Sequence, residues 1–267
     1  MLAVFYQTLD TENRPTYTPG AGGSILRNPA LGFRPRPREE NIESTLIWYK
    51  SQDPSDIEHW TKELDEFIKD YEGTQDDGQH IKDCTYASFA EDKENEKKGN
   101  ARDTRACKFQ DTWLKGKCHK GEGWGYSQNS PCVLLKLNRM IDWEPDVYTS
   151  VEELPENMPQ FLKDHIGNET KLANNVVPPM IWVSCEGENP ADKEYLPNIV
   201  LTPHYGFPAY YFPYTKTPGY LSPIVGVQII EPEPNVLINI ECRVWAKNIE
   251  FSTGERLGMV HFELLRD

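Results

Sequence analysis

The 267-residue chain has no run of 18 apolar residues and no segment laid out like a cleaved signal peptide. Within these residues there is therefore no full-length membrane helix to read. Positive charge is scarce: 28 Lys and Arg stand against 42 Asp and Glu, a net charge of -14 with pI near 4.9. A nucleic-acid binder needs a basic face to displace counterions, and an anionic membrane surface repels such a chain, so neither kind of electrostatic partner is expected. Cysteines never pair as Cys-x-x-Cys and no two histidines stand at ligand spacing. Cys118-His119 has no second pair, which argues against zinc. Catalytic patterns are missing as well. Ser184 beside Cys185 lacks the Gly-x-Ser-x-Gly elbow, and His59, His80, His119, His165, His204 and His261 sit in no triad context. In so acidic a chain any pair of carboxylates is uninformative. The PGAGGS stretch lacks the Gly-Lys-Ser/Thr ending of a phosphate loop, so a flexible turn is expected. CEGENPADKE, Cys185–Glu194, lacks the alternating ligands of a calcium loop and reads as a turn after a strand. These absences predict no enzyme, no cofactor, no metal and no small-molecule substrate.

Apolar residues make up only 38% of the chain, yet 7 Trp, 13 Tyr and 10 Phe supply enough area for a sizeable core. Proline is abundant, 21 where average usage of about 5% gives about 13, which disfavours a helical bundle. Strand signals are frequent. In NVLINIECRVWAK, Val236, Ile238, Ile240, Cys242 and Val244 alternate with Asn239, Glu241 and Arg243, the period of a half-buried strand with the Cys242 sulfur inward. Ser44–Lys50, VLLKL after Cys132, MIWVSC before Cys185, Ile224–Ile229 and Leu257–Leu265 read likewise. One helix is predicted after Ser55, with Ser55 and Glu58 as a capping box and Gly73 as its stop. Ile57, Trp60, Leu64, Phe67, Ile68 and Tyr71 form its apolar face, a stripe for core packing. EDKENEKKGN, Glu91–Asn100, reads as a solvated loop. The fold expected is mainly β: a sandwich of antiparallel sheets with one amphipathic helix inserted.

Six unclustered cysteines fit disulfides and an oxidising compartment, and spacing cannot choose among their 15 connectivities. Asn168-Glu169-Thr170 is the one acceptor sequence for N-glycosylation, expected in a loop. Residues 11–40 carry five prolines and read as an extended arm. The opening MLAVFYQTLD turns from apolar to polar within seven residues, which suits either a short buried segment or the last turns of a membrane helix. GFPAYYFPYTKTPGY, Gly206–Tyr220, packs six aromatic rings and three prolines into fifteen residues. Such a segment needs something to press against.

LAVFYQTLD, GFRPRP with ESTLIWYK, RACKFQ, PCVLLKLNR, VSCEGENPADKEYL, the aromatic stretch with YLSPIVGVQ, and NVLINIECRVWAKNI together carry a resemblance. The chain resembles the beta subunits of sodium/potassium-transporting ATPases, in their invertebrate form, from first residue to last. That resemblance implies a single-pass type II plasma-membrane protein with a large extracellular domain of immunoglobulin-like sandwich type. It implies no ATP hydrolysis, but escort of the catalytic alpha subunit from the endoplasmic reticulum, its stabilisation, and adjustment of potassium affinity, with an FXYD-like small subunit as a further partner. By the same resemblance residues 1–10 are the outer end of a membrane helix mostly missing here, 11–43 a stalk, and 44–267 the extracellular domain. The resemblance also implies that the cysteines pair as Cys84–Cys107, Cys118–Cys132 and Cys185–Cys242, the last stapling two strands across the core. Tyr210, Tyr211, Phe212, Pro213 and Tyr214 are expected against an extracellular loop of alpha, and Phe5 and Tyr6 at the membrane interface. The competing expectation is that the rings pack on the domain's own sheet. Around Ser130 the family pattern has a further glycine, so that turn departs from it. An anchorless secreted or adhesive module of the same fold is the alternative reading, and a proton/potassium pump the alternative partner.

Overall fold

Alternation along residues 236–244 becomes a strand whose Ile238, Ile240, Cys242 and Val244 are buried, while Asn239 and Arg243 keep contact with solvent. The same logic repeats along most of the chain. The structure, a computed structural model, describes residues 28–37 and 44–267 apart from Thr74, Asp76, Asp77, Arg102, Gln110 and Pro197. Phe5, Tyr6 and the whole of 1–10 lie outside the described residues.

In chain order the strands are β1 Leu31–Arg34, β2 Leu46–Tyr49, β3 Ile81–Lys82, β4 Ala106–Cys107, β5 Cys132–Leu137, β6 Met180–Gly187, β7 Asn198–Thr202, β8 Gly206–Pro208, β9 Ile224–Ile230, β10 Leu237–Trp245 and β11 Met259–Arg266. The helices are α1 Pro54–Ile68, α2 Tyr86–Lys97, α3 Gln160–Leu172 and α4 Pro190–Tyr195. One sheet runs β1-β5-β9-β7 and the other β2-β11-β10-β6-β8, with β3 and β4 as a separate pair. Their inner faces form one core, across which Phe33 of β1 stacks on Phe262 of β11 with centroids 5.2 Å apart. This is the expected sandwich. Within the two large sheets the pairings are antiparallel except at one edge, where β2 joins β11 in parallel. The segment read as stalk contributes β1, paired with β5 from Leu31↔Leu137 to Arg34↔Leu134, so the sandwich starts well before residue 44.

The predicted helix exists with a different start. Asp53 is its N-cap, its carboxylate accepting from the Ser55 amide, and Pro54 occupies the first helical position. Proline is preorganised for that place, and so the helix begins ahead of the expected Ser55–Glu58 box. Trp60, Leu64 and Ile68 are buried, and full burial of such side chains contributes about 1.5–3 kcal/mol each. A 3-10 turn, Lys69–Tyr71, carries the apolar face on to buried Tyr71 before Gly73.

Three helices were not expected. Glu91–Asn100 is no loop: most of it completes α2, which starts in a Thr85–Ser88 capping box. None of its side chains is fully buried, which explains why it shows no apolar period. Ala, Glu and Lys propensity together with ion pairs such as Lys82–Asp92 (2.7 Å) sustain it. Helix α3 buries only Leu162, Ile166 and Thr170, against Trp182 and Trp245 on the outer face of the second sheet. Asn168 is therefore on a helix rather than in a loop. The stretch after Cys185 folds as the end of β6 followed by α4, not as a simple turn. At Gly187 a Cβ would come within 2.5 Å of the Lys193 amide nitrogen, so the chain can fold back closely there only with glycine.

All six cysteines are paired as the resemblance implied: Cys84–Cys107, Cys118–Cys132 and Cys185–Cys242. The last does not cross the core between sheets. Cys185 and Cys242 face each other on neighbouring strands β6 and β10, with Cα atoms 4.1 Å apart. In the loop before Cys132, Gly125 and Asn129 adopt the left-handed conformation, so Ser130 need not be glycine. A Cβ on Gly125 would lie 2.1 Å from the Ser130 carbonyl oxygen.

Candidate interaction surface

The aromatic segment starts as an edge strand. Gly206–Pro208 pairs with Met180–Trp182 and buries Phe207 completely. Pro208 then turns the chain into a 3-10 turn, Ala209–Tyr211, since proline cannot donate to a continuing ladder.

From there the rings divide. Tyr211 points inward, with only 4% of its surface exposed, its ring 5.9 Å from Phe109 and its hydroxyl donating to the Lys108 carbonyl at 3.1 Å. Phe109 in turn meets Tyr71 of the α1 extension, edge to face at 5.7 Å. Tyr220 is buried as well. Tyr210, Phe212, Pro213 and Tyr214 are only half-buried. Tyr210 rests edge-on against Tyr86 at 5.5 Å, Phe212 against Trp143 at 5.7 Å, and Tyr214 tilts over Tyr220 at 4.9 Å. The guanidinium of Arg139 lies 5.4 Å from the centroids of both Tyr214 and Tyr220 and donates to the Tyr220 carbonyl at 3.0 Å. The expectation that the rings pack on the domain's own sheet holds for the inner ones, Tyr211 and Tyr220, while the outer ones form a ridge held from beneath. Tyr86, Phe109, Arg139 and Trp143, which position that ridge, carry no periodic signal in the sequence.

Beside the ridge a narrow cleft of about 60 Å³ separates it from α2. Its floor is charged. Lys82 bridges Asp92 at 2.7 Å and Asp103 at 3.2 Å, and Arg105 reaches Asp103 at 2.8 Å. Hydrogen bonds from the Arg105 side chain hold the Asp103 carboxyl well below the usual carboxylate range. Burial pushes the Tyr210 and Tyr211 hydroxyls up, and that of Tyr211 stays protonated to donate to the Lys108 carbonyl. These charges are paired with one another, and among the described residues no three His, Cys, Asp or Glu side chains converge as a metal site. His261, on β11, is occupied between Glu188 (3.1 Å) and Glu263 (2.9 Å). Among the described residues no helix is long and apolar enough to cross a membrane.

A family profile described as the sodium/potassium ATPase beta chain matches residues 1–262. The chain belongs to that family. It is 41% identical over 266 residues to sodium/potassium-transporting ATPase subunit beta-2 of Drosophila melanogaster, covering 98% of this chain and 78% of the relative. Subunit beta-1 of the same fly is 38% identical, over 91% of this chain and 72% of its own length. A probable subunit beta-3 of Caenorhabditis briggsae is 33% identical, over 98% and 73%. As a beta chain the molecule carries a ridge of half-exposed rings on a disulfide-linked sandwich.

Proposed function

We propose that this chain is the non-catalytic beta subunit of a sodium/potassium-transporting P-type ATPase. It assembles with the alpha subunit, stabilises it, accompanies it from the endoplasmic reticulum to the plasma membrane, and adjusts potassium affinity during sodium export and potassium import. The chain is a type II membrane protein whose sandwich faces outward, and a small FXYD-like subunit joins the pair. The family match over residues 1–262 carries this reading. Three disulfides fit an extracellular location, where such bonds persist.

The half-exposed ridge of Tyr210, Phe212, Pro213 and Tyr214 is the surface offered to alpha, with Phe5 and Tyr6 as a second contact at the membrane. Tyrosine brings large area with few rotors to freeze, and the proline-rich backbone is already ordered, so little entropy is lost on docking. Tyr211 supports this ridge from below. Co-expression with alpha tests the assignment: Phe212→Ala with Tyr214→Ala should lower recovery of the complex at least tenfold while the beta chain itself stays folded. Undiminished recovery of alpha with that double variant would overturn it.

A further inference from the structure

Helix α3 stands between two open grooves, and Asn168 lines both. One groove is aromatic. Phe161, 43% exposed, lies two helical turns before Asn168 on the same face, with Asp164 and His165 between them. The His165 ring stacks on Tyr205 at 4.0 Å and 27°, which extends the apolar wall. Lys193 and Asp164 supply a polar rim, and the groove holds about 620 Å³, within the range of small-molecule and saccharide sites. The other groove is lined mainly by polar side chains such as Gln160, Lys163 and Lys171.

We infer that the aromatic groove is the seat of an N-linked glycan carried by Asn168, whose first N-acetylglucosamine residues cover Phe161 and the His165–Tyr205 stack. A sugar ring presents a C–H face that suits an aromatic wall and hydroxyls that suit a charged rim, and only this groove offers both. Burial holds His165 below its ordinary pKa, so it presents a neutral ring. The three disulfides place the chain in the oxidising compartment where such glycans are added, without appeal to any pump. In the transfer, the Asn168 side-chain nitrogen bonds to C1 of the sugar of a lipid-pyrophosphate-linked oligosaccharide. The C1–O bond breaks, the lipid pyrophosphate leaves, and the amide proton passes to solvent. In the folded helix the buried Thr170 hydroxyl donates to the Ile166 carbonyl at 2.7 Å, so the acceptor sequence is used before α3 forms.

The test uses the full chain made in insect cells, with its glycan trimmed by endoglycosidase to a single N-acetylglucosamine. Peptide mass of the trimmed protein should show one N-acetylglucosamine on Asn168. The trimmed protein should melt about 2–4 °C above Asn168→Gln. Phe161→Ala, at an exposed position that the fold tolerates, should abolish that gain, and Phe161→Leu should restore only part of it. Unmodified Asn168, no gain in melting temperature, or a gain that survives Phe161→Ala would each overturn the inference; the last would move the sugar to the polar groove.

Discussion

Asp192 illustrates how one side chain can close a turn. It is buried in α4, where its carboxylate accepts from the Asn189 amide at 3.1 Å and from the Asn239 amide at 3.0 Å, besides both side-chain amides. Burial alone would raise its pKa, but those four donors overcome it and hold the carboxyl below its ordinary value. A depressed carboxyl contributes stability that is present above the unfolded pKa and lost as pH falls through the folded one. Asp192→Ala strands buried donors and should cost about 2–3 kcal/mol at neutral pH. In urea titrations the gap to wild type should narrow as pH falls below about 4; a gap constant down to pH 2 would deny the charge its role. Nothing in NPADKE marked this carboxylate as structural, because the sequence pattern shows a capping site but not the neighbouring strand it reaches. Tyr211 poses the complementary case. Tyr211→Ala removes a buried ring and should destabilise the domain by about 3–5 kcal/mol, whereas Tyr211→Phe loses one hydrogen bond and about 0.5–1.5 kcal/mol. Thermal denaturation of the beta chain alone distinguishes this supporting role from a contact role, in which both variants would melt like wild type.

Elements were legible in proportion to how strongly one face is buried. Strands β6, β9, β10 and β11 lie inside the sandwich and alternate or run apolar, so their residues announce them. Helix α1 carries a full apolar stripe and was equally plain, its start alone being displaced by Pro54. Helix α3 buries only Leu162, Ile166 and Thr170, a one-residue-wide stripe, and α2 buries none, so neither shows a broad apolar face; α2 starts in a capping box, whereas α3 rests on its packing against Trp182 and Trp245. The ladder position of Cys185 opposite Cys242 was similarly beyond reach, because alternation gives the face of a strand but not its neighbour. That position bears on stability. In the chain-entropy picture the bridge closes 57 residues, against 23 for Cys84–Cys107 and 14 for Cys118–Cys132. The corresponding stabilisations are about 4, 3.5 and 3 kcal/mol, so paired Cys→Ala substitutions should lower denaturation midpoints in that order. The reverse order would mean that residual structure in the unfolded chain, rather than loop length, sets their worth.

For the whole molecule the question is how a subunit read as non-catalytic influences a pump. Under the proposed function, alpha cycles between conformations, and a bound partner shifts them only through unequal affinity for the two. A threefold change in potassium affinity requires about 0.65 kcal/mol, which is RT ln 3 and less than one good contact. The inner rings of the aromatic segment are held on Phe109, Tyr71 and Arg139, so on that proposal the ridge would meet alpha as a rigid edge, and small differences in the fit would translate into free energy. Tyr214→Phe keeps the ring, its tilted packing on Tyr220 and its place over Arg139, and removes only the hydroxyl. It should leave recovery of alpha unchanged while shifting half-maximal potassium activation of the purified complex by about two- to threefold, the scale of one hydrogen bond differing between states. Identical potassium activation with Tyr214→Phe and wild type, at equal recovery, would confine the ridge to assembly and leave modulation to another surface.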